Sequence, residues 1–457
     1  MTRVRGSEAV TDSDTPTDST APSVGTAPSV STAAGDGETP PHARRRIVVG
    51  VGGGIAAYKA CSLVRLFTEA GHDVRVIPTE SALEFVGAAT FEALSGHRVD
   101  TGVFEDVPAV PHVRLGQQAD LVVVAPATAD LLARAAHGRA DDLLTATLLT
   151  ARCPVVFAPA MHTEMWEHPA TAENVAVLRR RGATVIEPAS GRLTGKDTGA
   201  GRLPEPAEIA TIATLLLERD DAVPRDLEGV RVLVTAGGTR EPVDPVRFLG
   251  NRSSGKQGYA LARLAAQRGA RVVLVSGYTA GLDEPAAVDT VHVKTALDMR
   301  EAVEKHAADA DAIVMAAAVA DFRPTVTAVS KIKKGDGEPD AIPLAKNPDI
   351  LAGIVESRSA GTLDADTVIV GFAAETGDEN GDVLTYARAK LARKGCDLLV
   401  VNAVGEGKAF EVDDNDGWLL GADGSECALE HGSKSLMASR VLDAVAQRVV
   451  RSRDEHT

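Results

Sequence analysis

The sequence predicts an α/β protein built from two doubly wound, Rossmann-like domains behind a disordered N-terminal tail. Three observations carry this reading. The chain of 457 residues is too long for one ordinary core and long enough for two. Short apolar runs recur along it, each followed by a glycine-rich or polar turn and a helix-periodic segment. The alternation occurs twice, from Arg46 and again from Val230, as expected of parallel sheets covered by helices. The expected division is a tail at 1–43, a first domain at 44–222 and a second at 223–457, with the boundary in DDAVPRDLEG near Val223.

Composition narrows the class. Hydrophobic content of 44% is that of a globular chain, and the longest apolar runs, such as Ile313 to Ala320, read as buried strands because they are too short to span a bilayer. No membrane association is expected. A net charge of −16 argues against a general nucleic-acid surface, which needs clustered excess Lys and Arg. Any anionic ligand must then be held by local, organised cations. Cys61, Cys153, Cys396 and Cys427 show no CxxC spacing, so each reads as a small core residue in a reducing, cytoplasmic setting.

Taken in order, Met1 to about His42 is rich in Thr, Ser, Pro, Asp and Gly and has too little to bury to offset its ordering entropy. From Arg46, IVVGVGGGIAAYKACSLVRLFTEAGHDVRVIP reads as strand, glycine turn, helix closed by Gly71, and second strand. Gly52 to Gly54 permit close backbone approach to a phosphate, yet the run lacks the GxGxxG spacing of a dinucleotide site. A second helix is expected near Ser81 to Val86. The strand at Asp120 to Val124 ends in APATAD and that at Pro154 to Ala158 in PAMHTEMW, both placing polar residues where open α/β sheets bind ligands. SGRLTGKDTGAGRLPEP, from Ser190 to Pro206, has too much Gly, Lys and Thr for a helix or strand and reads as a mobile loop or flap.

The second half gives strands at Val232, Val272, Ile313, Val368 and Leu398 with helices between them. Its first turn, from Gly237 to Lys256, carries Thr239, Arg240, Asp244, Arg247, Asn251, Arg252, Ser253 and Ser254, and reads as an anion-binding loop before a helix N-terminus. Val326 to Lys346, containing KIKKGDGEPD, is a hydrophilic insertion expected to serve as a lid. Lys390 and Lys394, four apart, share one helix side.

Motifs throughout Arg46 to about Val450, among them GGGIAAYK, APATAD, PAMHTEMW, GGTREPVDPVRFLGNRSSGKQG, AAAVADFRP, KNPDI, GFAAET and ARKGCDLLVVN, resemble one family. This is the bifunctional phosphopantothenoylcysteine decarboxylase and phosphopantothenate–cysteine ligase of coenzyme A synthesis. The resemblance implies a flavodoxin-like, FMN-dependent decarboxylase domain followed by a ligase domain, in a homo-oligomer. In that family FMN oxidises the substrate thiol to a thioaldehyde, which accepts the electron pair released with carbon dioxide. By similarity Gly53, Gly54 and Ile55 lie at the FMN site, with Thr79 and Ser81 near the phosphate and Pro126, Ala127 and Thr128 along the ring. His112 by itself reads as a polar turn residue; its place before ADLVVVAPATAD matches the family's active-site histidine. Two positions depart from the family: His162 stands where an Asn orients the substrate carboxylate, and Gly195 where a Cys protonates the product. Lys196, Asp197 or a water could replace that Cys.

For the second half the resemblance implies CTP, Mg²⁺, 4'-phosphopantothenate and cysteine, joined through an acyl-cytidylate to give 4'-phosphopantothenoylcysteine. Asn251 then stabilises the acyl-cytidylate, Lys331 acts in acyl transfer and Ala318 lies at the substrate pocket. Asp321, Asn347, Pro348, Asp349 and Phe372 frame the nucleotide, and Lys390 and Lys394 reach its triphosphate. Because of Gly195, a ligase with a structural or regulatory flavoprotein half is the alternative.

Overall fold

Strand, turn and helix alternate through both halves of the computed structural model, which describes residues 43–99, 111–193, 197–279, 281–333, 341–375, 382–403 and 414–455. The tail expected at 1–43 lies outside these residues but for Ala43, as do Gly195 and Lys196.

In the first half five parallel strands stand in the order Asp73–Pro78, Arg46–Val51, Leu121–Ala127, Val155–Pro159, Thr184–Val185. Leu121–Ala127 is buried along its whole length, as a strand covered by helices on both faces must be. Helix Ala57–Glu69 turns Ala57, Ala60, Leu63, Val64 and Phe67 inward at helical spacing and ends before Gly71, whose φ of +85° a side chain would resist. The sheet order reverses between Arg46–Val51 and Leu121–Ala127, which opens a crevice at their carboxyl ends. In place of one helix near Ser81 to Val86 there are two, Glu80–Leu83 and Ala88–Ser95, parted by Gly87.

The expected flap after Ser190 is instead a hairpin of strands Ala189–Arg192 and Thr198–Arg202. Its glycines explain why composition misled. A Cβ on Gly199 would stand 2.4 Å from Thr163 Oγ1, and one on Gly201 2.4 Å from Met161 O, so only glycine lets this ribbon lie against the PAMHT turn. Met161 N–H donates to Gly201 O at 2.9 Å and Thr163 Oγ1 to Ala200 O at 2.8 Å.

The second sheet runs Val288–His292, Arg271–Ser276, Arg231–Ala236, Ala312–Met315, Val368–Glu375, Leu398–Ala403, Asp414–Gly421, Glu426–Ser433. Its first six strands are parallel and the last two antiparallel. The order again reverses at the first strand of the half, between Arg231–Ala236 and Ala312–Met315. The final hairpin has a consequence for function. It turns the chain down and back up beside Leu398–Ala403, so helix Lys434–Glu455 starts at the carboxyl edge of the sheet like the others.

Helix Pro206–Glu218 joins the halves. Ile209, Ile212, Ala213 and Leu216 enter the first core while Leu215 enters the second. Beside it Arg268, fully buried, donates from Nε to Asp226 at 2.8 Å and from Nη1 to Asp443 at 2.9 Å; Arg219 reaches the other oxygen of Asp443 at 2.6 Å. Glu208, on the same helix, accepts from Ala286 N–H at 3.1 Å, and burial pushes its carboxyl up against the opposing pull of Arg263.

Candidate active sites

The first crevice is assembled from three turns. Gly52 N–H donates to Pro126 O at 3.0 Å, and a Cβ on Gly52 would lie 2.5 Å from that oxygen. On Gly53 a Cβ would lie 2.1 Å from Ser81 Oγ. The glycines are therefore required by approach to the other two turns, as well as suiting a phosphate. Thr79 caps helix Glu80–Leu83 and sits 3.1 Å from Ser81 Oγ; Thr128 caps helix Ala129–Ala136. Thus Gly53, Gly54, Thr79, Ser81, Pro126, Ala127 and Thr128 meet at one place. Ile55 projects from it, 73% exposed.

His112 is half-buried in the first turn of helix Pro111–Gln118, which packs on helix Leu143–Thr150. It is not a turn residue. Thr150 Oγ1 donates to His112 O at 2.7 Å, and Nδ1 of the ring is buried with no hydrogen-bond partner among the described residues. An orphaned imidazole nitrogen is costly unless a ligand or proton answers it. His162 is the N-cap of helix Thr163–Trp166 without a side-chain capping bond and is exposed. Asp197 holds the hairpin tip by accepting, through its carbonyl, the N–H of Leu193 at 2.8 Å.

The second crevice is a cleft of about 500 Å³. It brings together Asn251, Ala318, Asp321, Asn347, Pro348, Asp349, Phe372, Lys390 and Lys394 from five separate stretches of the chain. The irregular AAAVAD backbone on its floor is held by side chains from before and after it in the chain. Ala317 N–H donates to Thr235 Oγ1 at 3.1 Å and Ala320 N–H to Thr239 Oγ1 at 3.0 Å, while Asn251 and Asn347 donate to Val319 O and Ala320 O at 3.0 and 2.8 Å. Burial opposes charge on Asp349, but the Lys394 ammonium and Ala352 N–H outweigh it and hold the carboxyl below its usual range.

The loop from Gly237 is only partly an anion loop. Ser253, Ser254 and Lys256 line the cleft, but Arg240 stacks on the rings of Tyr278 and Phe248, at 3.0 and 4.2 Å from their centroids. Asp244 is spent on the fold. Arg247, with the N–H groups of Val246, Arg247 and Ile332, holds its carboxyl well below the carboxylate range. Lys331 is exposed and absent from the cleft wall; the next residue is tied to this loop by Ile332 N–H to Asp244 at 3.1 Å and Arg247 to Ile332 O at 2.9 Å. Sequence reading missed Gln257, Asn402 and Lys434, all on the cleft wall.

Two family models match in tandem: a flavoprotein model over residues 38–217, and the C-terminal domain of a DNA/pantothenate metabolism flavoprotein over residues 227–449. The fold and the two crevices thus define a two-part flavoprotein of pantothenate metabolism. The chain is 73% identical over 404 residues to the coenzyme A biosynthesis bifunctional protein CoaBC of Mycolicibacterium smegmatis, covering 88% of this chain and 98% of that one. Identity to the protein of that name from Mycobacterium tuberculosis H37Rv is 73% over 401 residues, covering 88% and 96%; to that from Bacillus subtilis it is 43% over 406 residues, covering 88% and 97%. The chain belongs to this family of bifunctional coenzyme A biosynthesis enzymes, with a decarboxylase and a ligase activity in one polypeptide.

Proposed function

We propose that residues 223–457 join cysteine to 4'-phosphopantothenate at the expense of CTP, and that residues 44–222 decarboxylate the 4'-phosphopantothenoylcysteine formed to 4'-phosphopantetheine. The single observation that carries this is the pair of crevices at two sheet reversals, one lined by glycine and hydroxyl groups, the other by lysines. The matches at 38–217 and 227–449 support the division.

In the ligase cleft a carboxylate oxygen of phosphopantothenate attacks the α-phosphorus of CTP, and pyrophosphate leaves. The cysteine amine then attacks the acyl carbon, and CMP leaves. Lys390 and Lys394 face the triphosphate, with Lys394 held in place by Asp349. Asn251, braced on Val319 O, meets the acyl-cytidylate beside Ala318. Asp321, Asn347, Pro348, Asp349 and Phe372 enclose the base and ribose, and backbone groups of the KNPDI turn read cytosine. Lys331 is assigned to the acyl transfer; its support is that Ile332 is tied to the loop ending at Asn251. Mg²⁺ fits as a partner of the triphosphate, because it keeps several waters and binds through phosphate oxygens with only one or two carboxylates.

The first crevice fits FMN. Gly52 and Gly53 pack so closely on Pro126 O and Ser81 that the glycine turn, the hydroxyls of Thr79, Ser81 and Thr128, and the N-terminus of helix Ala57–Glu69 are drawn to one place, a donor set suited to a flavin phosphate. When bound, FMN supplies the oxidation and re-reduction at the thiol carbon that let a carboxylate with no neighbouring electron acceptor depart. Thr79 and Ser81 hold its phosphate, and Gly54, Ile55, Pro126, Ala127 and Thr128 bound the ring. His112 takes or returns the proton at the reacting thiol, a role its unpaired Nδ1 supports. His162 orients the substrate carboxylate from the PAMH turn. Exposed Ile55 and Tyr58 beside this crevice support a homo-oligomer, and four free cysteines support a cytoplasmic setting. Among the described residues no helix is long and apolar enough to cross a membrane.

The test is incubation of the purified chain with phosphopantothenate, cysteine, Mg²⁺ and CTP, followed by mass analysis. Phosphopantetheine is expected. Phosphopantothenoylcysteine alone would favour the ligase with a structural flavoprotein half, and neither product would refute the proposal.

A further inference from the structure

The last segment of the chain contributes a wall to the ligase cleft that no motif announced. Lys434, at the head of the 22-residue helix Lys434–Glu455, lines the cleft and is only 8% exposed. The helix is aimed so that its first-turn N–H groups, which have no intrahelical acceptors, come to the same edge as those of helix Lys256–Gln267. A specific contact locks the two helix starts together: Gln257 Nε2 donates to Lys434 O at 3.2 Å.

Two further atoms on that wall point to a ligand. Gln257 Oε1 and Asn402 Oδ1 are both buried and have no hydrogen-bond partner among the described residues, although both side chains line the cleft. Buried carboxamide oxygens seek donors such as the hydroxyl or amide N–H groups that flank a phosphate in these substrates. The residues lining the cleft include four lysines, Lys256, Lys390, Lys394 and Lys434, against two aspartates, Asp321 and Asp349. Lys390 and Lys394 share one helix, Val383–Lys394, whereas Lys256 and Lys434 come from the two locked helix starts. The cationic groups therefore fall into two sets on different elements, as needed by a reaction that holds two phosphate-bearing substrates at once.

We propose that Lys434, positioned by Gln257 and flanked by Asn402, is a phosphate-binding residue of the ligase cleft, and that the terminal hairpin and helix exist in part to deliver it there. The inference rests on the ligase reading of this cleft. The phosphate could belong to the nucleotide or to phosphopantothenate, and kinetics separates the two.

The experiment compares the parent chain with Lys434→Met, Lys434→Arg and Gln257→Glu, varying CTP and phosphopantothenate in turn with the other saturating and following phosphopantothenoylcysteine. Losing one charge-assisted contact should raise KM for one of the two substrates about tenfold to hundredfold in Lys434→Met, with kcat much less affected. Which KM rises identifies the phosphate. Lys434→Arg should recover much of the loss, which a purely structural lysine would not require. Gln257→Glu, which sets a carboxylate beside the same anion, should raise the same KM. Parental KM values for both substrates in a Lys434→Met protein that melts like the parent would overturn the proposal. If that variant melts well below the parent, unchanged KM values in Gln257→Glu would overturn it instead. A parent chain that makes no phosphopantothenoylcysteine would defeat the functional reading; an active parent with unaltered variants defeats only this inference.

Discussion

The two halves of the molecule use the same topological device for different electrostatic ends. In each, a glycine turn follows the first strand and faces the neighbouring strand across a sheet reversal. In the first half the turn meets Thr79, Ser81 and Thr128, which are neutral, and its outer rim is apolar through Ile55 and Tyr58. In the second the turn leads to Ser253, Ser254 and Lys256, and lysines from two later helices complete the wall. The difference teaches that sheet topology sets where a ligand sits, while side chains contributed by later elements set its charge. A flavin mononucleotide, with one phosphate for the hydroxyls and a flat uncharged ring, suits the first; the triphosphate and phosphorylated acid proposed for the second would call on its lysines.

That comparison can be broken at several points. The largest expected effect is at the junction: Asp443→Ala removes a carboxylate shared by Arg219 and the fully buried Arg268, and should cost about 3 kcal/mol. Urea unfolding would check it; a shift within error would mean the junction does not tie the two cores together. Next is Gly53→Ala, whose methyl would meet Ser81 Oγ at 2.1 Å, an overpacking worth about 1 to 3 kcal/mol. Released flavin, measured by absorbance after gel filtration, should be the outcome, with ligase turnover kept. Retention of full flavin would remove the cradle from the account. A smaller effect, about 1 kcal/mol, is expected for Thr239→Val, which leaves Ala320 N–H without its acceptor on the floor of the cleft. Here ligase KM values should rise while flavin content stays constant.

The smallest effect concerns pH. Burial raises the Glu208 carboxyl above its ordinary range, against Arg263 and the Ala286 N–H, so the folded state holds its proton longer than the unfolded chain. Its contribution is therefore fullest below the ordinary glutamate range and declines as pH rises through the raised value. Glu208→Gln should flatten that decline. The stability difference between parent and variant should change with pH by at most about 1.4 kcal/mol per pH unit, in mildly acid solution. A difference constant with pH would refute the assignment.

Much of this organisation was legible in the residues, for identifiable reasons. Strands such as Leu121–Ala127 and Ala312–Met315 are continuous apolar runs because both faces are covered, and such runs are hard to mistake. Of the nine assigned residues that line the ligase cleft, those from Asn251 to Phe372 sit on or beside strand ends and helix starts that the alternation itself predicts, while Lys390 and Lys394 come from the last turns of helix Val383–Lys394. What was missed depended on contacts across the fold. The hairpin at Ala189–Arg192 and Thr198–Arg202 is made of residues poor in strand propensity, and its reason lies in how close Gly199 and Gly201 approach Thr163 and Met161. Lys434 follows an acidic, glycine-containing hairpin whose antiparallel pairing carries no strong alternation, so nothing local showed that it returns to the cleft. Lys331 lies exposed off the cleft wall, and the tie that brings its neighbour Ile332 to Asp244 joins residues too far apart in the chain for any local pattern to announce it.

The central claim is that two separate crevices perform two consecutive reactions. A crosswise assay tests it most directly, with His112→Asn and Asn251→Asp each supplied with phosphopantothenate, cysteine, Mg²⁺ and CTP, then with phosphopantothenoylcysteine alone, and the products read by mass. The account predicts that His112→Asn stops at phosphopantothenoylcysteine in the first mixture and leaves it unchanged in the second. Asn251→Asp should form little product from the first mixture yet convert the second to phosphopantetheine at the parental rate. If either substitution abolishes both conversions, or if neither affects its own, the division of labour between the crevices is contradicted.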